Sequence, residues 1–267
     1  MSQHVAETVL AALSDHRQVP LFTASPSGLT LTEAYTVTPR LRAAFEARGE
    51  TITGRKIGFT NREMWQVYGV HAPIWGYCTN CTTFEIADAP MPNAFDFAEP
   101  RMEPEIMFGL QAAPDPGMSD SELLDCIDWI SLGFEIVQSI YPGWQFAAPD
   151  TVAANALHGA LFVGSRHRIA PRRDDWSREL AAFRVDLLCD GQHSQSGGGE
   201  LVLGSPLMAL RHLVGLLAED PKNPPLSAGE IVSTGSLTLA MPITPGQTWT
   251  AKPEGIPLEE VTLRIAS

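Results

Sequence analysis

Three glutamates set on apolar stretches constrain this chain more than any other feature. In PRMEPEIMFGL (100–110), Glu103 and Glu105 lie two residues apart and run into an apolar segment of strand character. At period two, both side chains point to one face of a strand. Glu135 lies in a second apolar run, WISLGFEIVQSI (129–140), which reads as a buried strand. Burying an ionised carboxylate without a partner is very costly. A divalent cation is the simplest partner they could share. An all-oxygen set with open positions suits Mg²⁺ or Mn²⁺ rather than zinc. Glu-x-Glu by itself is also common on exposed strand faces. Glu135, inside its own apolar run, is what turns the pair into a candidate site.

The chain has 267 residues, enough for a large core in one domain or one and a half. It is 44% hydrophobic and 18% charged, the composition of a globular protein rather than a disordered one. The net charge of −13 argues against nucleic acid or an anionic membrane surface as a partner. It also means that a small anionic substrate needs a local cation or metal. No apolar run reaches the ~18 residues of a membrane-spanning helix. The first residues, MSQHVAETVLAALSDHRQ, lack the basic start and long apolar stretch of a signal peptide. The expected location is the cytoplasm, and Cys78, Cys81, Cys126 and Cys189 suit a reducing compartment. Cys78 and Cys81 have CxxC spacing. With no second CxxC and no histidine pair at zinc spacing, they read as incidental thiols.

Val5, Val9, Leu10 and Leu13 recur at helical spacing and predict an N-terminal amphipathic helix. A second helical segment starts at Thr32-Glu33-Ala34, with Leu41, Ala44 and Phe45 on one side and Gly49 as its stop. Pro39 kinks or splits it. From residue 51, short apolar runs alternate with Pro and Gly. Strands are expected at 106–110, 130–137, 160–163, 183–189, 230–239 and 261–265, with Asp190-Gly191 as a hairpin turn. Residues 206–217, with Leu207, Leu210, Leu213, Val214 and Leu217, form the clearest helix of the second half. Helices in front and strands behind predict an α+β fold around one catalytic body.

Six segments in order carry a family resemblance: GRKIGFT (54–60), VYGVHAPIWGY (67–77), RMEPEIMFGL (101–110), GFEIVQSIYPGW (133–144), DTVAANALHGALFVG (150–164) and AGEIVSTGSLTLAMPITPGQ (228–247). Together the chain resembles the 2-keto-4-pentenoate hydratase / 4-oxalocrotonate decarboxylase group of the fumarylacetoacetate hydrolase superfamily. The resemblance implies a mixed β-roll preceded by helices, with residues 1–70 as a helical portion and 71–267 as the β-rich catalytic part of one compact unit. It further implies bound Mg²⁺ or Mn²⁺, a homo-oligomer, and a 2-oxo or dienol acid from aromatic meta-cleavage as substrate. Glu103, Glu105 and Glu135 fall on the family's metal ligands, Lys56 on its active-site lysine, and Ser236 in a segment that lines the substrate pocket.

The chain also departs from the group. Ile74 stands where the hydratases usually carry an aspartate suited to proton transfer. Ala147, Ala154 and Leu157 replace a lysine, an aspartate and a serine. His158 is the candidate acid/base replacement, since histidine titrates near neutrality, although a histidine beside an apolar strand is commonly structural. His71, before Ala-Pro, and Gln145, after Trp144, are candidate substrate-binding residues. Asp150 is expected to hold the local backbone, and Trp75 and Trp144 to wall either a pocket or the core. Gly197-Gly198-Gly199 lacks P-loop spacing, and no Gly-x-Ser-x-Gly elbow is present.

The resulting expectation is a metal-dependent hydro-lyase acting on a 2-hydroxydienoate such as 2-hydroxypenta-2,4-dienoate through a metal-bound enolate. Decarboxylation of a 4-oxalocrotonate-like diacid and C–C hydrolysis of an acylpyruvate use the same site, hydrolysis with His158 as base. A non-catalytic subunit serving a catalytic partner is the reading from another class, and three buried acids argue against it.

Overall fold

The chain begins as helices. The computed structural model describes residues 2–267, and in it Val5, Val9 and Leu10 form the buried stripe of α1 (Ser2–Ser14). The second helical stretch is two helices, α2 (Leu31–Ala34) and α3 (Thr38–Ala47). Thr30 and Glu33 close a capping box on α2, satisfying donors that a helix start leaves open. Pro39 falls in the first turn of α3, where its missing N–H costs nothing. It therefore starts a helix instead of kinking one. Gly49, at φ +84°, takes the left-handed position just past the helix end.

The body follows as β1 (Ile52–Gly58), α4 (Glu63–Tyr68), β2 (Ile74–Thr79), β3 (Thr83–Glu85), β4 (Arg101–Leu110), α5 (Asp120–Asp125), β5 (Ile127–Val137), α6 (Ala148–Ala153), β6 (His158–Val163) and β7 (His167–Arg168). The second half adds α7 (Arg173–Ala182), β8 (Arg184–Cys189), β9 (Gln192–Gly198), α8 (Pro206–Ala218), β10 (Ile231–Ser236), β11 (Met241–Pro242), β12 (Thr248–Glu254) and β13 (Val261–Arg264). The main sheet runs β2-β1-β10-β4-β5-β6-β3, with β11 against β4 and β7 against β5. It is mixed: β1 lies parallel to β10 and β3 parallel to β6, while the others are antiparallel. A second sheet runs β13-β12-β8-β9.

This is an α+β architecture, and β1 runs inside its main sheet. The stretch 1–70, expected as helical, thus gives way to the sheet at Ile52. The strand escapes an apolar-run search because Arg55 and Lys56 occupy its centre, both buried. The front helices are tied to the body by Asp150. Its carboxylate accepts from Thr23 N–H (3.1 Å), Thr23 Oγ1 (2.7 Å) and Ala147 N–H (3.0 Å), the structural role expected of it.

Asp190 and Gly191, at φ 51° and 76°, make the expected tight turn between β8 and β9. Two left-handed residues in a two-residue loop match the twist of a hairpin. The stretch Gly199–Ala218 has the length and hydropathy of a spanning helix, with 20 residues at mean hydropathy 1.6, but half of it is buried inside the fold. Its regular helix, α8, has 13 residues and buries Leu207, Leu210, Leu213 and Leu217. It packs against β10, α5 and α7, which makes it a core helix.

Candidate active site

The register of β4 on β5 assembles the acidic cluster. Glu103 lies directly opposite Glu135, and Glu105 opposite Gly133. Directly opposed residues of an antiparallel pair share a face, so the two strands bring all three carboxylates to one spot. One oxygen from each lies within 4.8 Å of the others. Proline is tolerated inside a sheet where the ladder is irregular, and β10 is bulged against β4 between Ser233 and Ser236, beside the Glu-Pro-Glu run. The bulge turns backbone and side-chain donors onto Glu105. Its Oε2 accepts from Gly235 N–H (2.9 Å) and from the Ser233 hydroxyl. Gly235 sits at φ +101°, and a Cβ there would meet Thr60 Oγ1 at 1.9 Å, so only glycine fits.

Lys56 enters from β1, in register with Ser233 of β10. Its ammonium lies 3.1 Å from Glu135 Oε2 and donates to the Ala156 carbonyl (3.1 Å). That carbonyl belongs to an unusual segment. Asn155, Ala156 and Leu157 all have left-handed backbone, at φ 53°, 53° and 62°. Left-handed conformation costs an L-residue roughly 1–2 kcal/mol, and such strain persists only where the surroundings hold it. Asn155 is the clamp. Its Oδ1 accepts from Tyr77 N–H (2.8 Å) and its Nδ2 donates to the Tyr77 carbonyl (2.9 Å). Gly76 allows the approach, since a Cβ there would lie 2.4 Å from the Asn155 carbonyl oxygen.

Burial and mutual charge set the electrostatics of the cluster. Burial pushes the Glu103 carboxyl up to about 7, against the pull of Lys56 and with the charge on Glu135. Burial and the charges on Glu135 and Glu103 hold Glu105 well above the carboxylate range. Burial would raise Glu135 too, but Lys56 and His158 outweigh it and hold it low. Burial alone would lower the Lys56 pKa, and the charges of Glu135, Glu103 and Glu105 outweigh it, so the ammonium is held charged. Glu105 Oε1 is buried with no hydrogen-bond partner, and Glu135 Oε2 faces Lys56 without a directed hydrogen bond. Buried polar atoms are nearly always partnered. An orphaned Glu105 oxygen and a Glu135 oxygen faced only by an ammonium, beside a third acid, are the donor set of a divalent cation, so the residues present fit one.

A pocket of about 220 Å³ opens onto this cluster. Lys56, Glu103, Ser236, Trp144, Ile74 and Leu157 are among the residues lining it, the first four as expected. Arg101 also lines it. Arg101 stands two residues before Glu103 and so shares its face of β4. Its guanidinium lies 4.1 Å from the Trp144 ring centroid and donates to Tyr68 Oη (3.2 Å). Among the described residues it has no carboxylate partner within ion-pair distance.

Three expected residues fall elsewhere. His71 and Gln145 are exposed and outside the lining. His158 lies behind Glu135, with Nδ1 2.8 Å from Glu135 Oε1 and Nε2 2.9 Å from Thr82 Oγ1. Both ring nitrogens are engaged and the side chain does not face the pocket. Trp75 belongs to the core, packed between Tyr35 and Tyr77. Cys78 is buried, Cys81 exposed, and both are free thiols.

Three acids, a buried lysine and a small pocket on a mixed sheet define a divalent-cation enzyme for small acids. No family model matches the chain. It is 31% identical over 246 residues to 2-hydroxyhexa-2,4-dienoate hydratase of Comamonas testosteroni, covering 92% of this chain and 90% of that protein. It is 28% identical over 253 residues to 4-oxalocrotonate decarboxylase of Pseudomonas sp. (strain CF600), covering 94% and 92%. The structure of 4-oxalocrotonate decarboxylase from Pseudomonas putida G7, complexed with magnesium and adipate, superposes with a TM-score of 0.89 at 27% identity, covering 99% and 97%. The chain belongs to the 2-keto-4-pentenoate hydratase / 4-oxalocrotonate decarboxylase group, and it shares its fold with fumarylacetoacetate hydrolase family proteins.

Proposed function

We propose that this chain is a divalent-metal-dependent lyase that hydrates a small 2-hydroxydienoic acid such as 2-hydroxypenta-2,4-dienoate. The observation that carries the reading is the Glu103–Glu105–Glu135 cluster, with an orphaned Glu105 oxygen and the Lys56 ammonium beside it at the pocket wall. The three glutamates would hold Mg²⁺ or Mn²⁺, as their all-oxygen chemistry favours. Bound there, the ion would supply Lewis acidity toward the substrate's carboxylate and 2-oxygen. Lys56, kept charged by its acidic neighbours, stabilises negative charge that develops on the substrate and can deliver a proton. Ser236, on the pocket wall, offers the substrate a hydroxyl. Trp144, Leu157 and Ile74 exclude bulk water around it.

Arg101 favours the second reading, decarboxylation of a 4-oxalocrotonate-like diacid. Two residues along a strand span roughly 7 Å, about the separation of the two carboxylates of a six-carbon diacid. A guanidinium without a carboxylate partner, on the same face of β4 as Glu103, suits the second carboxylate. The apolar Ile74, in place of an acid, suits a reaction with fewer proton transfers. Hydrolysis of an acylpyruvate loses its proposed base, because His158 lies outside the pocket lining.

The finer description of the fold as a mixed β-roll rests on the strand order of the main sheet and the second sheet beside it. A homo-oligomer is supported by Met91 and Phe95, large apolar side chains left exposed. A reducing cytoplasm is supported by four free thiols. The test of the reading is metal dependence. Protein stripped with a chelator should leave dienol absorbance unchanged, recover turnover on adding Mg²⁺, and lose it in Glu105→Gln. Full turnover in the stripped protein or in Glu105→Gln would sink it.

A further inference from the structure

His158 lies outside the pocket lining, and its surroundings are unusually complete. It opens β6, its side chain is 2% exposed, and it bridges two elements. On one side Nδ1 meets Glu135 Oε1 at 2.8 Å, and on the other Nε2 meets Thr82 Oγ1 at 2.9 Å. An ionised carboxylate only accepts hydrogen bonds, so Nδ1 carries the proton. Nε2 makes the second contact, with the Thr82 hydroxyl. That hydroxyl is itself held, because it accepts from Thr79 N–H at 3.1 Å and lies 3.4 Å from the Thr79 carbonyl. The Thr82 backbone is pinned as well, its carbonyl accepting from Leu161 N–H at 2.7 Å. The turn that runs from Cys78 past Cys81 is what places Thr82.

The arrangement divides the Glu135 carboxylate. Oε1 is taken by the imidazole. Oε2 is left facing Lys56 with no directed hydrogen bond. We propose that His158 is a positioning residue: held between Thr82 and Glu135, it fixes the Glu135 carboxylate so that Oε2 alone faces the cation shared with Glu103 and Glu105. This rests on the metal reading above. It assigns the imidazole to the ligand sphere rather than to proton transfer with substrate. Outer partners of this kind orient a ligand and typically change metal affinity about 10- to 100-fold when removed.

The test measures Mn²⁺ binding to the full chain by titration, without substrate, in the wild type and in His158→Leu, His158→Asn and Thr82→Val. Asparagine keeps a donor near the position of Nδ1, while leucine keeps none. His158→Leu should weaken Mn²⁺ binding by roughly 10- to 100-fold, and His158→Asn should restore most of the affinity. Thr82→Val should weaken binding severalfold. Its imidazole nitrogen signals should also shift from those of the wild type, since Nε2 loses its partner. Equal Mn²⁺ affinity in the wild type and His158→Leu would overturn the proposal while leaving the metal reading intact. Lost turnover at unchanged Mn²⁺ affinity would overturn it too, returning the imidazole to the chemistry. A wild type that binds no Mn²⁺ would overturn both. Should His158→Leu fail to fold, unchanged binding in Thr82→Val together with weak binding in His158→Asn would contradict the proposed bridge.

Discussion

Replacing Asn155 with alanine tests how the active-site backbone is held. The substitution deletes two buried hydrogen bonds, from Tyr77 N–H to Oδ1 and from Nδ2 to the Tyr77 carbonyl. Each orphaned backbone group costs about 1–3 kcal/mol. Alanine at φ 53° adds about 1 kcal/mol, because it tolerates the left-handed region less well than asparagine. The sum is about 4 kcal/mol, and at roughly 2–4 °C per kcal/mol for a chain of this size the Tm should fall by roughly 8–16 °C. Asn155→Gly separates the two contributions. It loses the same hydrogen bonds but pays no left-handed cost, offset by about 0.5–1 kcal/mol of extra unfolded-state freedom. Set against the full cost of roughly 1–2 kcal/mol that alanine pays in the left-handed region, glycine should still be the more stable variant, by about 0.5–1 kcal/mol. Both should lower kcat, because the Ala156 carbonyl that holds Lys56 moves with the segment. Thermal unfolding in chelator, read with steady-state kinetics in Mg²⁺, measures all of this. A Tm within 3 °C of wild type for Asn155→Ala would refute the clamp, and Asn155→Gly no more stable than Asn155→Ala would refute the left-handed strain.

Gly235→Ala should weaken Mg²⁺ binding at least tenfold, because its Cβ would collide with Thr60 Oγ1 and push the Gly235 N–H off Glu105; calorimetric titration reads it. In the metal-free protein, Glu103 is pushed from its ordinary 4.5 up to about 7 and Glu105 is raised as well. Their contribution to stability is full below 4.5 and is lost as the pH climbs to about 7, since the folded state then holds protons the unfolded state has released. Glu135, held low, is lost only below its ordinary value and leaves that window to the other two. The metal-free Tm should fall from pH 5 to pH 7, and the Mg²⁺-induced rise in Tm should grow over the same range. Arg101→Met should cut kcat/KM for a 4-oxalocrotonate-type diacid roughly 10- to 100-fold, the worth of a charge-assisted hydrogen bond. It should leave a monoacid dienoate within threefold, as parallel kinetics would show.

The acidic cluster was legible because period two and apolar context are local. Glu103 and Glu105 declare a shared face without any knowledge of pairing, and Glu135 announces a buried strand of its own. That Glu135 lies directly opposite Glu103 is a matter of register, which no local pattern carries. Lys56 came from family resemblance, because a charged strand such as β1 looks exposed until its neighbours are known. Arg101 was within reach, since the period that joins Glu103 to Glu105 extends two residues back to it. His158 is legible as a residue, but its position behind Glu135 is not. Whether an imidazole at the head of β6 faces the pocket or the back of Glu135 depends on Thr82, 76 residues away. The left-handed run at 155–157 left no signal beyond Asn155, because alanine and leucine are not left-handed formers.

The measurement that tests the central claim most directly is the identity of the product. Purified protein with Mg²⁺ would be offered 2-hydroxypenta-2,4-dienoate and a 4-oxalocrotonate-type diacid, with products read by NMR. A 4-hydroxy-2-oxo acid formed from the dienoate, and absent with Glu105→Gln, is the predicted result. Decarboxylated diacid with no hydration would move the chain to the second reading. Turnover of neither acid by protein with Mg²⁺ bound would contradict the account.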